Sequence, residues 1–242
     1  MIIRIDRFVR RRLILAASFL GLLLLVRGGL EIYGLAVPAA TEIQPLRNAG
    51  SQHQAVSLTF NITWGDQIPE AVLSVLRDHD VQATFFLSGS WAADHPELVA
   101  QMREDGHDLG SYGYRHLNLT QFDAEELTAE LEQAVTVLTS AADTAPSFFR
   151  PPAGAYDDQV IETAAGLGML TVLWDVDASD WLHPGPAQIT AEVLRSARPG
   201  SIVLLHAGEA NSQTLRALPD IIRGLKDHDF ELLPLSVLLT GP

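Results

Sequence analysis

Short apolar runs recur along this chain, and several of them stop at a polar residue. Runs at 55–60, 83–88, 108–112, 147–150, 170–176, 201–206 and 230–235 have the length and composition of buried strands. Between them lie segments of helical periodicity with recognisable ends. Asp94 precedes a helix with Pro96 and Glu97 in its first turn, and Gly106 closes it. Asp123, with Glu126 three residues on, forms a capping-box signature ahead of a stripe of Leu127, Leu131, Val135 and Leu138. Gly168 is a helix stop after Ala164, Ala165 and Leu167. Seven strands alternating with six or seven helices predict right-handed crossovers and a parallel sheet. Polar residues spread over many strand ends favour closure of this α/β chain into a distorted (β/α)7-type barrel, with its chemistry at the strand C-termini.

The first 50 residues follow a different pattern. Arg4, Arg7, Arg10, Arg11 and Arg12 face a single Asp6, and an apolar run from Leu13 to Val26 follows. A positive start before an apolar core reads as a secretory signal or a signal-anchor with a cytoplasmic N-terminus. Val37-Pro38-Ala39 is a poor cleavage site, which favours the anchor. The predicted organisation is a cytoplasmic Arg-rich start and membrane-anchor helix over 1–37, a linker over 38–54 and a barrel over 55–240. The barrel is then expected outside the cytoplasm, or secreted if the leader is cleaved.

Charge divides along the same line. Residues 1–50 hold seven basic and three acidic side chains, whereas 51–242 hold nine basic and 27 acidic ones within a chain of net charge −14. A domain this acidic does not suit nucleic acid, because phosphate contacts need Lys and Arg. Cysteine is absent, which excludes disulfides and thiolate metal sites. No GxGxxG or P-loop follows a strand, and no Gly-x-Ser-x-Gly turn presents a nucleophile.

The strand ends carry the candidate chemistry. Asp175 and Asp177 lie two apart and point to the same side of their strand. His206 ends the next one, so Asp177 is the expected partner of its imidazole, an arrangement suited to a general acid. Arg150 lies between two Phe and two Pro, which predicts a rigid mount and a role in orienting a carboxylate or amide.

These residues carry a resemblance. TFNITWGD, GHDLGSYGYRH, RPPAGAY, DASDW and IVLLH fall in the order and spacing of the five motifs of polysaccharide deacetylases, the NodB-homology domain, over roughly residues 53–240. The WGD and GYRH segments look most like the sporulation-associated PdaB-like branch. The resemblance implies a divalent metal, usually zinc, and hydrolysis of the N-acetyl group of an amino sugar in peptidoglycan or a chitin-like polymer. It places Asn61 where the family has its general base and Ile62 where it has a metal-binding Asp. Tyr112 and His116 stand in place of two His ligands, so His116 is the one matching metal ligand. Arg150 matches the arginine that holds the base, Asp177 the partner of the acid and His206 the acid itself. Trp181 matches the apolar wall for the acetyl methyl, and Tyr156 the aromatic that closes the third motif.

Zinc in a hydrolytic site takes three protein ligands plus water. Asn61 cannot accept a proton at neutral pH, and loss of a general base costs roughly 10²–10⁴ in rate. Asp66, His107 and Asp108 are the candidates for a substitute metal site, although His107 is also placed to cap the preceding turn. Three readings follow: a deacetylase with altered ligands, a glycan-binding relative that has lost hydrolysis, and unrelated hydrolytic chemistry built on Asp175, Asp177 and His206. The chemistry favours impaired or absent deacetylation.

Overall fold

The computed structural model describes residues 44–50 and 54–241, which all fall within one compact unit. The anchor predicted over 1–37 lies outside these residues. Among the described residues no helix is long and apolar enough to cross a membrane.

Strand β1 (Ala55–Ile62) is the centre of a sheet. β2 (Thr84–Leu87), β3 (Asp108–Ser111), β4 (Phe148–Phe149) and β5 (Leu170–Thr171) follow in turn on one side of it. On the other side come β7 (Ile202–His206) and then β6 (Val176–Asp177), and every pairing is parallel. β8 (Glu231–Leu232) pairs with Ala55 and Val56, just ahead of the residues that pair with β2. The described sheet is thus a distorted parallel barrel of eight short strands.

The apolar run 170–176, expected as one strand, is two. Its first residues pair with β4 at one edge of the sheet, and its last pair with β7 at the other. Residues 172–175 therefore carry the chain across the gap and join the two edges. The linker predicted over 38–54 contributes to the same closure. Leu46 pairs with Val172 and Asn48 with Ser201, and the Asn48 amide donates to Asp175 Oδ2 at 2.8 Å. Asp175 also accepts from Ile202 N (2.8 Å) and Ser201 Oγ (3.1 Å) and pairs with Arg198, so its role is to brace this seam.

Eight helices pack around the described sheet: α1 (Gln67–Asp78), α2 (Gly89–Asp94), α3 (Pro96–Glu104), α4 (Ala124–Ala142), α5 (Asp158–Gly166), α6 (Pro186–Ser196), α7 (Ser212–Asp227) and α8 (Leu235–Thr240). The predicted capping box is present. Asp123 Oδ1 accepts from Glu125 N and Glu126 N, and the Glu126 carboxylate accepts from Asp123 N. Pro96 and Glu97 open α3 as expected, with His95 at its N-cap and Asp94 ending the preceding α2.

The alternation of β1 decides what faces the site. Val56, Leu58, Phe60 and Ile62 belong to the apolar cluster that also takes in Leu73, Leu76, Ile221 and other helix residues. Ser57, Thr59 and Asn61 point the other way, into the barrel, as the period of a strand requires. Polar side chains thus line one face of a strand that is buried along its whole length.

Candidate functional site

Asn61 and His206 are paired in register at the C-terminal ends of β1 and β7. They open onto a cleft of about 610 Å³, whose wall also includes Tyr112, His116, Asp177 and Trp181. A cleft of this size at the strand C-termini is where a barrel of this kind binds its ligand.

Arg150 lies beneath the cleft floor and is fully buried. Nη1 donates to Asn61 Oδ1 at 3.0 Å, and Nη2 donates to Thr59 Oγ1 at 2.9 Å and the Leu173 carbonyl at 3.0 Å. Nε donates to the Val172 carbonyl at 3.3 Å, and the guanidinium lies 3.9 Å over the Phe86 ring. The rigid mount expected from the Phe and Pro neighbours is therefore present. All four acceptors are uncharged, so this buried cation has no carboxylate among the described residues. Burial lowers its pKa to about 9, which still leaves it charged at neutral pH.

The imidazole of His206 is held by a different carboxylate from the one expected. Asp180 Oδ1 lies 2.8 Å from His206 Nδ1, while its Oδ2 accepts from His206 N and Thr214 Oγ1, each at 2.7 Å. Asp177 lines the cleft and accepts from Ser179 N at 2.7 Å. The reversal comes from Ser179, whose left-handed backbone (φ 53°) turns the chain so that Asp180 points inward and Trp181 outward. A carboxylate only accepts, so Nδ1 carries the proton and Nε2 is left for the cleft.

Tyr112 is buried in the wall, with its hydroxyl accepting from Ala153 N at 3.3 Å; burial pushes its phenol pKa up. His116 is at the rim with its ring 4.8 Å from that of Tyr112. Partial desolvation, and then the charge of nearby His206, lower its pKa. Its loop is clamped by Glu130 of α4, a buried carboxylate that accepts from Tyr114 N, Arg115 N and Arg115 Nε.

These residues do not fit zinc. Ile62 lies in the helix-facing core, Tyr112 is a protonated phenol, and His116 is the single imidazole at a matching ligand position. Among the described residues no three His, Asp or Glu side chains lie close enough together to hold a metal. The substitute ligands are also elsewhere. Asp108 begins β3, at the end of the sheet opposite His116, and binds Ser236 N and Oγ. His107 Nδ1 accepts from Ala83 N at 3.1 Å and its ring lies edge-on to Phe85, so it braces a strand start rather than capping a turn. Asp66 is at the N-cap of α1 and outside the cleft.

Tyr156 is not in the cleft either. It packs, half-buried, against the cluster of Leu119, Leu127, Phe149 and Val160. Conversely, sequence reasoning overlooked Trp64, Trp174 and His183, which line the cleft, and Asp180. The aromatic of TFNITWGD and the second Asp of DASDW were the available signals.

Comparison with known proteins agrees with this geometry. The model of the family described as polysaccharide deacetylase matches residues 48–172. The chain is 36% identical over 217 residues to a chitooligosaccharide deacetylase of Bradyrhizobium sp. (strain ANU 289), covering 82% of this chain and 99% of that protein. It is 33% identical over 192 residues to a peptidoglycan-N-acetylglucosamine deacetylase of Bacillus cereus, covering 78% and 90%. Among solved structures it resembles wild-type BA3943, a CE4 family pseudoenzyme from Bacillus anthracis, with 30% identity, a TM-score of 0.77 and coverage of 81% and 69%. A BA3943 mutant with restored enzymatic activity superposes with the same TM-score, covering 81% and 71%. The chain spans 60% of the length of a further relative, protein YlxY of Bacillus subtilis. The barrel with Arg150, His206 and their partners at its strand ends is that of the polysaccharide deacetylase family, and this chain is a member of it.

Proposed function

We propose that this protein binds an amino-sugar glycan of the cell wall, peptidoglycan or a chitin-like polymer, without hydrolysing its N-acetyl groups. One observation carries this reading. Arg150, placed to hold a catalytic carboxylate, instead holds the neutral amide of Asn61, beside a ligand set that does not fit zinc. The acid half is complete, because Asp180 keeps His206 in one tautomer. An acid without a base or an activated water does not cleave an amide. The cleft and its aromatic walls remain, which is what recognition requires. The similarity to a CE4 family pseudoenzyme supports the same reading.

The Arg-rich start and the apolar run over 13–26 support an anchor that holds the domain outside the cytoplasm. The WGD and GYRH motifs support the PdaB-like branch and, through it, a role in sporulation. Calorimetric titration with chitooligosaccharides and soluble peptidoglycan fragments tests the binding claim. Saturable binding that is unchanged by chelator is expected; no binding to either glycan would exclude it.

A further inference from the structure

Two tryptophans stand more than half exposed at this cleft, Trp64 at 55% and Trp181 at 54%, while the other large apolar side chains exposed in the described domain are three leucines, Leu117, Leu170 and Leu182. Both are rigidly mounted. Trp64 follows β1, and the next residue, Gly65, adopts φ +85°; a Cβ there would come within 2.3 Å of Glu209 Oε2. The Gly65 carbonyl accepts from Trp91 Nε1 at 2.6 Å. The Trp64 indole lies across Gly208, where an added Cβ would be 3.6 Å from its Nε1. Trp181 is in a 3-10 turn bounded by the left-handed Ser179 and His183, and its neighbour Asp180 is the buried anchor of His206.

The sheet order sets where the two rings stand. β7 lies between β1 and β6, so Trp64 (after β1) and Trp181 (after β6) flank His206 on opposite sides. Two strand spacings separate their mounting points, about 10 Å, a span of the order of a disaccharide. Apolar area held in water on a fixed backbone costs free energy that a stacking ligand recovers. The net negative charge of the domain repels a polyanion, and a neutral sugar presents an apolar ring face with polar edges. Resting on the glycan-binding reading above, we infer that Trp64 is a second sugar-stacking platform, so that the cleft grips consecutive N-acetylated sugars on both sides of His206.

The test measures affinity for N-acetylglucosamine and its dimer and hexamer in the full-length protein and in Trp64→Ala, Trp64→Phe and Trp181→Ala. The exposed Leu170, near the N-terminal end of the sheet, supplies a Leu170→Ala control. Trp64→Ala is expected to weaken hexamer binding about tenfold and leave monomer binding little changed, with Trp64→Phe intermediate. Trp181→Ala is expected to weaken both. Circular dichroism checks folding, and the phenylalanine variant keeps the test open should the alanine variant misfold. Hexamer binding by Trp64→Ala at the wild-type level would overturn the inference while leaving the glycan-binding reading intact. An equal loss for monomer and hexamer would overturn the second platform. Failure of the wild type to bind any oligomer removes both.

Discussion

Asn61 and Arg150 form the pair on which the site turns. A guanidinium with no exposed surface and only neutral acceptors lacks the counter-charge that buried cations ordinarily have. Asn61→Asp supplies one without changing side-chain shape, and charge-assisted hydrogen bonds are the strong ones. This variant is predicted to be more stable by about 1–3 kcal/mol at neutral pH, read as a higher urea midpoint at unchanged m-value. A lower midpoint would mean that Arg150 is already compensated. Ile62 behaves in the opposite sense. Its side chain is fully buried among apolar residues on the helix-facing side of β1, so Ile62→Asp is expected to cost at least about 3 kcal/mol. Reintroducing the family's two carboxylates together therefore combines one stabilising change with one that the core resists. The two carboxylates near His206 separate as sharply. Asp180→Ala leaves the His206 amide and Thr214 hydroxyl unpaired and is predicted to cost about 3 kcal/mol. Asp177→Ala, which loses one bond to Ser179, is predicted to cost less than about 1 kcal/mol. Equal costs in parallel denaturation curves would return Asp177 to the role read from the sequence.

Individual elements show how much of this was legible beforehand. The capping box at Asp123 and Glu126 was readable because both partners lie within one turn and interact with their own backbone. The split of 170–176 was not, since an apolar run looks the same whether it pairs with one neighbour or crosses between two. Asp180 was hidden for a related reason. Strand alternation selects Asp177, and only the left-handed Ser179 brings the later carboxylate back under His206. The polar residues of β1 were visible at positions 57, 59 and 61, but which face they lined depended on which side the helices covered. His107 illustrates a residue whose sequence neighbourhood invited a metal and whose element gave it a structural task. Its ring accepts the Ala83 amide at the start of the β2 segment, and burial holds its pKa down at about 4. Between about pH 6.5 and 4 the unfolded chain binds a proton there that the native state refuses, so stability falls as pH drops through that window. The contribution is on the order of 3 kcal/mol. A His107→Gln variant should lose stability at neutral pH and show a flatter dependence over the same range. Urea melts at several pH values check this, and an unchanged slope would remove His107 as the cause.

In the described domain as a whole, the barrel holds the Asp180–His206 pair and the Arg150–Asn61 pair at its strand ends. The seam sealed by Leu46, Asn48 and Asp175, the clamp of Glu130 on the His116 loop and the buried Arg150 all serve the cleft geometry. None of them supplies a base or three metal ligands. Family membership therefore establishes the fold and the location of the cleft, and the side chains at Asn61, Ile62 and Tyr112 decide its chemistry. Release of acetate from N-acetylated chitooligosaccharides and peptidoglycan fragments by the purified protein, with and without added zinc, decides the matter most directly. No release above the His206→Ala level is expected under either condition, together with saturable binding of the same glycans. Zinc-dependent acetate release that is abolished in His206→Ala would contradict it and make this protein a working deacetylase.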